Sequence, residues 1–426
     1  GAVLLIGLWP LRRTALTPRG WLWLVSVGAV MRVLVAISPP LLENDYYRYL
    51  WDGAILAHGH NPYAHAPEDA LRALESGSTP HWLPEPATSQ RGRDVLARVN
   101  HPRLTTVYGP FAQAAFAAAH LIAPWSIYAW RAVLLMFDAA TFVLLVMLLR
   151  RLAAPLVWSA WYWWNPVLLR EVIGSGHMDV LAFPLVLAAL WLAVRRAPLR
   201  ASLVLALAAA VKIWPIILAP LVLRAGAPRL RSALLTGATL LATSALLWLP
   251  VLSAPNDESN GFLAFAGSWY NNDALYRSLV FAGRWLLPLF GVHPGHASFA
   301  SRVFLSTALM LLIAWQTLRL VPRADDTIRR ALFIVAAAFL LNPAQFPWYY
   351  LWMLPLLALR PRPSLLGYTA LLPLYYVHYE HVWVVWLEHV PVAVLLILEW
   401  RIDRRTRARA RLRTSSLAGR RALECE

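Results

Sequence analysis

The run WLWLVSVGAVMRVLVAISP, residues 21–39, carries one charge, Arg32, and is long enough at 1.5 Å per residue to cross a bilayer core about 30 Å thick. Immediately beyond it the chemistry reverses. Glu43-Asn44-Asp45-Tyr46-Tyr47-Arg48-Tyr49-Leu50-Trp51-Asp52-Gly53 crowds three acids and an arginine among aromatic residues. An apolar span that opens onto a polar, aromatic segment marks a membrane boundary, with Asp45 at the membrane surface. Arg12, Arg13 and Arg19 precede the span, so the positive-inside rule directs it from the cytoplasm outward.

The rest of the chain extends this pattern. Of 426 residues, 59% are hydrophobic and 14% charged, with a mean hydropathy of +0.52, whereas soluble domains are about a quarter charged. A soluble globule is excluded, and the apolar excess suffices for roughly a dozen spans of about 20 residues. The apolar runs are continuous and rich in Leu and Ala, which excludes the alternating strands of a membrane barrel. The net charge of +17 comes from basic bursts between apolar runs. That is how loops mark the cytoplasmic side, and it argues against a nucleic-acid partner. The single lysine is Lys212, and the single cysteine, Cys425, leaves no disulfide or thiolate site to consider.

Arginine-marked loops order the spans. Residues 2–11 are too short to cross and read as interfacial or truncated. Residues 40–106, with eight acids, six Arg and five His, form one long extracytoplasmic loop. Residues 107–123 open on Tyr108-Gly109-Pro110 and read as a helix on the outer surface. Crossings follow at 127–149, 154–169 and 180–194. Between Arg200 and Arg224 both ends are cytoplasmic, so the stretch is read as a hairpin of two half-length helices broken near Lys212-Ile213-Trp214-Pro215, with Lys212 at its outer apex. Crossings at 234–249 and 299–318, then paired crossings at 331–345 with 348–359 and 365–376 with 384–399, bring the total to about twelve. The expected architecture is an all-α polytopic integral membrane protein, with residues 1–400 as one transmembrane domain and 401–426 as an Arg-rich cytoplasmic tail. No internal repeat is visible.

Polar residues at the outer face gather in four places, each with a plainer alternative. If residues 45–53 are helical, Asp45, Arg48, Tyr49 and Asp52 share one face; the alternative is an N-cap Asp with an i,i+3 Arg. Asn100-His101-Pro102 with Tyr108-Gly109-Pro110 is either a site loop or a proline-punctuated turn. Gly176-His177-Met178-Asp179 is either a site or a helix cap. Lys212 is a functional candidate as an ionisable residue within a transmembrane segment, and otherwise snorkels to the interface. Weaker candidates are Arg32, reaching outer phosphates or pairing with Asp138, and the aromatic segments Trp269-Tyr270 and Phe346-Pro347-Trp348-Tyr349-Tyr350, which stack on a sugar or form an interfacial belt. His378-Tyr379-Glu380-His381 has a metal-like spacing but no third ligand, so no metal is expected.

These features together resemble the GT-C glycosyltransferases. Asp45 to Gly53, Gly59-x-Asn61-Pro62-Tyr63, Asn100-His101-Pro102, Trp164-Asn165-Pro166 and Gly176-His177-x-Asp179 resemble bacterial polyprenyl-phosphate-mannose-dependent mannosyltransferases, across residues 20–360. Glu43-Asn44 stands where an acid pair is usual, leaving Asp45 as the candidate base. The resemblance implies a multi-pass protein of the bacterial inner membrane with its site facing outward. There an acceptor hydroxyl of a glycan or glycolipid attacks C1 of a lipid-linked sugar, with inversion. Asp45 is then the general base; Lys212, Arg48 and His177 hold the donor phosphate; Asp52, His101, Tyr108, Asp179, Trp348 and Tyr349 orient sugar or acceptor. The donor's sugar–phosphate bond supplies the driving force, so no further cofactor is expected, and no nucleotide-binding loop is present. A lipid-linked-sugar flippase is the alternative, and a catalytically silent scaffold a third.

Overall fold

The computed structural model describes every residue except Gly1, Arg12, Arg13, Leu41, Pro228, Pro322, Tyr379, Glu380, Glu424, Cys425 and Glu426; for residues 2–5, 11, 378 and 407–423 it describes the backbone alone. Among the described residues the regular structure is helical, apart from one isolated bridge between Asn271 and Ala344. Among these residues four helices are long and apolar enough to cross a membrane: Pro18–Ile37, Ile127–Arg151, Leu230–Ser253 and Pro294–Leu318. A fifth candidate is the pair Leu156–Gly174 and Met178–Val194, bent by 105°. These fall where the expected spans at 21–39, 127–149, 234–249 and 299–318, and the pair at 154–194, were placed.

Among the described residues four to five segments meet the requirement of length and composition, and several of the other apolar stretches are divided into shorter helices. Proline is the physical cause. Pro166, Pro215, Pro220, Pro347, Pro355, Pro363 and Pro373 each stand in the first or second position of a short helix, where the missing N–H costs nothing and the preceding turn is interrupted. Interrupted backbone at membrane depth is tolerated where protein surrounds it. Tyr350, Leu351, Met353, Leu354, Leu357, Ala358 and Leu359 are accordingly fully buried.

The break at Lys212 follows the same logic. Helix Pro198–Val211 ends at Lys212, whose backbone is extended (φ −153°, ψ 143°), and the chain resumes as a 3-10 turn, Trp214–Leu218, and a short helix, Ala219–Gly226. At the other end of the chain, helix Val384–Leu423 runs without interruption through residue 400, joining the last apolar segment to the Arg-rich tail.

Helix Pro18–Ile37 shows how an apolar helix and a charge coexist. Leu22, Trp23, Val33 and Leu34 are more than half exposed, a surface suited to lipid rather than water. Its buried face carries Arg32, paired with Asp138 of helix Ile127–Arg151; Tyr162 donates to the same carboxylate (2.8 Å) and Arg32 Nη1 donates to the Trp163 carbonyl (2.6 Å). Arg32 thus pairs inside the bundle instead of reaching for outer phosphates, and every polar group of the pair is satisfied, which a buried charge requires.

Two helices frame the site. Tyr46–Ala57 packs on Pro110–Ile122, and Gly53 permits this because a Cβ there would strike the backbone of Phe116. The second helix, the one expected at the outer surface, packs into the protein through Ala112, Gln113, Phe116, Ala119 and His120, which are buried. Gly109, just before it, donates its N–H to the Val211 carbonyl (3.2 Å) and sits so close to the Ala210 carbonyl that no Cβ fits. The Tyr108-Gly109-Pro110 turn is thereby docked on the helix end that presents Lys212.

Candidate active site

A cavity of about 960 Å³ lies where these broken helices and loops meet. Eight of the ten residues expected at the site line it: Asp45, Arg48, His101, Tyr108, Asp179, Lys212, Trp348 and Tyr349. Asp52 and His177 do not.

Asp45 precedes helix Tyr46–Ala57 but does not cap it with its side chain. The plain N-cap alternative therefore fails. The carboxylate turns instead toward Asn100, whose Nδ2 donates to Oδ1 (3.0 Å), and the side chain retains 26% exposure. Burial raises its pKa above the ordinary aspartate value, against the opposing pull of the Asn100 hydrogen bond and of Lys212, His101 and Arg48. Glu43, also on the cavity wall, is pushed up to about 7 by burial and by the charges of Asp45 and Glu171. An acid held near neutrality beside a second acid with a raised pKa is a site suited to taking up a proton.

Lys212 Nζ lies 2.8 Å from Asp179 Oδ1 and 4.0 Å above the Tyr349 ring. Trp352 Nε1 donates to the same Asp179 oxygen (2.6 Å). Asp179 thus anchors the lysine at the cavity wall, and Lys212 does not snorkel away.

Three expected roles change in the folded chain. Arg48 directs Nη2 at the carbonyls of Asn100 (3.3 Å), His101 (3.1 Å) and Leu104 (2.9 Å), so it braces the loop that carries Asn100 and His101 rather than standing free for a phosphate. Asp52, 2% exposed, accepts from Gln113 Nε2 (3.1 Å) and faces Arg48 Nη1 (3.9 Å), which places it behind the wall. His177 is fully buried and stacks on Trp348 at 3.8 Å, beneath the surface a substrate would touch.

Two groups went unnoticed in the sequence. Arg302 lines the cavity from helix Ala297–Leu318; it donates to the Trp269 carbonyl (2.9 Å), makes no ion pair with a carboxylate among the described residues, and leaves its buried Nε unpartnered. A charge near the start of an otherwise apolar span was the available signal. Glu171, 1% exposed, lies six residues before His177 and accepts from Tyr376. Of the weaker candidates, Trp269 and Tyr270 line the cavity, with Trp269 edge-on to His101 at 4.7 Å. The His378 to His381 segment includes Tyr379 and Glu380, which lie outside the described residues.

The cavity therefore combines three carboxylates, a held lysine, two arginines and several aromatic faces. A comparison with curated proteins finds no match. A family model described as alpha-(1→6)-mannopyranosyltransferase, N-terminal domain, matches residues 1–88 and 102–227. The matched residues include Asp45, Arg48, Asp52, Tyr108, His177, Asp179 and Lys212, while His101, Trp348, Tyr349 and Arg302 fall outside them. This is a family of transferases, which removes the ground for a flippase, and the chain's apolar helices of spanning length make it a membrane protein. The chain belongs to the MptA/MptB family of alpha-(1→6)-mannopyranosyltransferases and is a glycosyltransferase.

Proposed function

We propose that the chain transfers mannose from a polyprenyl-phosphate donor to a hydroxyl of a glycan or glycolipid acceptor, at the outer face of a bacterial inner membrane. In this reading residues 1–400 form one GT-C domain in which the short helices complete about twelve crossings as half-spans. Residues 40–106 lie outside, and the tail from residue 401 lies in the cytoplasm against anionic lipid.

Asp45 accepts the proton of the acceptor hydroxyl as its oxygen attacks C1 of mannose. The C1–O bond to the lipid phosphate breaks, and its electron pair leaves on the phosphate. Lys212 stabilises the developing phosphate charge, and Arg302 offers a second cation on the same cavity. His101, Tyr108, Trp348 and Tyr349 present polar edges and ring faces to the sugars. A single displacement inverts the anomeric centre, so an alpha product requires a beta-linked donor. No metal is assigned a role.

The observation that carries this reading is the orientation of Asp45, turned away from the helix it precedes and into the cavity that holds Lys212. Its test is transfer in vitro from short-chain polyprenyl-phosphate mannose to synthetic mannosides. Asp45→Asn is expected to lower turnover by about 10²- to 10⁴-fold, the usual contribution of a general base, with the fold intact. The beta-linked donor is expected to react and the alpha-linked one to be inert. Full activity in a folded Asp45→Asn protein refutes the assignment.

A further inference from the structure

His177 is buried completely, yet neither ring nitrogen has a hydrogen-bond partner among the described residues. Such groups are rare and ask for an explanation. The ring is held flat against Trp348 at 3.8 Å, an aromatic that lines the cavity. Its two nitrogens point at two carboxylates on opposite sides: Nδ1 is 3.8 Å from Asp45 Oδ2, and Nε2 is 3.7 Å from Glu171 Oε2. Asp45 meets the cavity; Glu171 does not line it. Each separation exceeds a hydrogen bond by about 1 Å; a shift of the ring toward Asp45 closes the first, and the Glu171 side chain must follow the ring to close the second.

Glu171 is fixed from behind. Tyr376 donates to both of its oxygens (3.2 and 3.0 Å), and Arg170 Nη1 lies 3.3 Å from Oε1. The arrangement is carboxylate, imidazole, carboxylate, with one end open to substrate. It has the order of a nucleophile, a base and an orienting acid, with the cavity-facing carboxylate in place of the nucleophile.

We propose that His177 and Glu171 form a proton reservoir behind Asp45, receiving the acceptor's proton from it during each turnover. The inference rests on the assignment of Asp45 as base. In the resting site His177 is neutral, with its N–H on Nε2 toward Glu171 and its lone pair on Nδ1 toward Asp45. Once Asp45 has taken the proton, it passes that proton to Nδ1. Asp45 is again a carboxylate, and the imidazolium lies between two carboxylates. After the product leaves, the proton returns through Asp45 to water in the cavity, and the balance is one proton per mannose transferred. Burial opposes the imidazolium first, and Lys212 and Arg170 oppose it further; closing on the two carboxylates must offset them, with Arg48 and His101 bearing on Asp45 and Glu43 coupled to both carboxylates. His177 and Glu171 act through Asp45 and are positioning residues.

The test uses the full chain in detergent or liposomes, with short-chain polyprenyl-phosphate mannose as donor, measuring kcat and KM from pH 5 to 9. Glu171→Gln retains the shape and the Tyr376 contact but not the charge; it is expected to lower kcat by about 10- to 100-fold, to leave donor KM unchanged and to displace the pH profile of kcat. His177→Ala is expected to lose turnover and to regain part of it with added imidazole. Thermal unfolding establishes that each variant is folded. A folded Glu171→Gln enzyme with the wild-type kcat and pH profile overturns the proposal, as does a folded His177→Ala enzyme that imidazole leaves unchanged. Asp45→Asn is measured alongside: if it is inactive while the other two variants match wild type, Asp45 stands as base and the reservoir falls. If Asp45→Asn is active, the base assignment itself falls.

Discussion

Lys212 Nζ stands 2.8 Å from Asp179 Oδ1, joining the break between two half-length helices to the start of the helical segment that follows His177. The aspartate is 1% exposed and the lysine side chain 17%. Removing one member of such a pair strands the other charge, at a cost of about 3–5 kcal/mol. Lys212→Met is therefore expected to lower thermal stability, and the double variant Lys212→Met with Asp179→Asn to recover most of it. If Lys212 also holds the donor phosphate, the double variant will still bind donor poorly. A lost charged hydrogen bond contributes about 1.5–3 kcal/mol, or roughly 10- to 100-fold in donor KM. Normal donor KM in the double variant would leave the lysine a structural role only.

The hydrogen bond from Asn100 to Asp45 favours the charged carboxylate against the burial that raises its pKa. A base must be deprotonated to act, so activity falls as pH drops through that pKa. Asn100→Ala removes a stabiliser of the charged form, raises the pKa further and moves the acid limb of kcat to higher pH. The variant should be disproportionately weak on the acid side of the wild-type profile and approach wild type as the pH rises, as read from initial rates across the range. An acid limb that stays in place would separate Asn100 from the protonation of Asp45.

Much of this geometry was legible before folding, and what was not has a common cause. The long spans were readable because their apolar runs are uninterrupted, and the break at Lys212 because Arg200 and Arg224 bracket a stretch too short for two full crossings. Proline-rich stretches such as 347–363 look apolar enough to span but hold several short helices, since a local ring constraint outweighs average hydropathy. The residues gathered at the cavity were named correctly more often than their duties. Whether Arg48 meets a phosphate or three carbonyls depends on a loop fifty residues away, and whether His177 faces substrate depends on Trp348, far along the chain. Neither partner leaves a trace in the local pattern.

At Gly53 and Gly109, beside the site, glycine is a requirement of packing. A Cβ on Gly53 meets the Phe116 backbone, and one on Gly109 meets the Ala210 carbonyl. Gly53→Ala and Gly109→Ala are each expected to destabilise by about 1–3 kcal/mol, because backbone cannot move aside as a flexible side chain does. Gly59 has a left-handed backbone (φ +82°) but open space around it. Gly59→Ala should cost about 1 kcal/mol from conformation alone. Thermal unfolding in detergent orders the three, and Gly109→Ala should also depress turnover, since the turn it supports touches the helix end that carries Lys212.

Arg48→Lys distinguishes a brace from a ligand. The guanidinium directs Nη2 at the loop carbonyls while Nη1 faces Asp52 at 3.9 Å, and a single ammonium cannot serve both sides at once. If Arg48 braces the loop, the lysine variant loosens Asn100 and His101: kcat falls about 10-fold, donor KM is unchanged, and stability drops by about 1–2 kcal/mol. If Arg48 instead binds the donor phosphate, lysine keeps the charge and donor KM rises while stability holds. The carbonyl contacts favour the first outcome, and steady-state kinetics with a thermal melt decides between them.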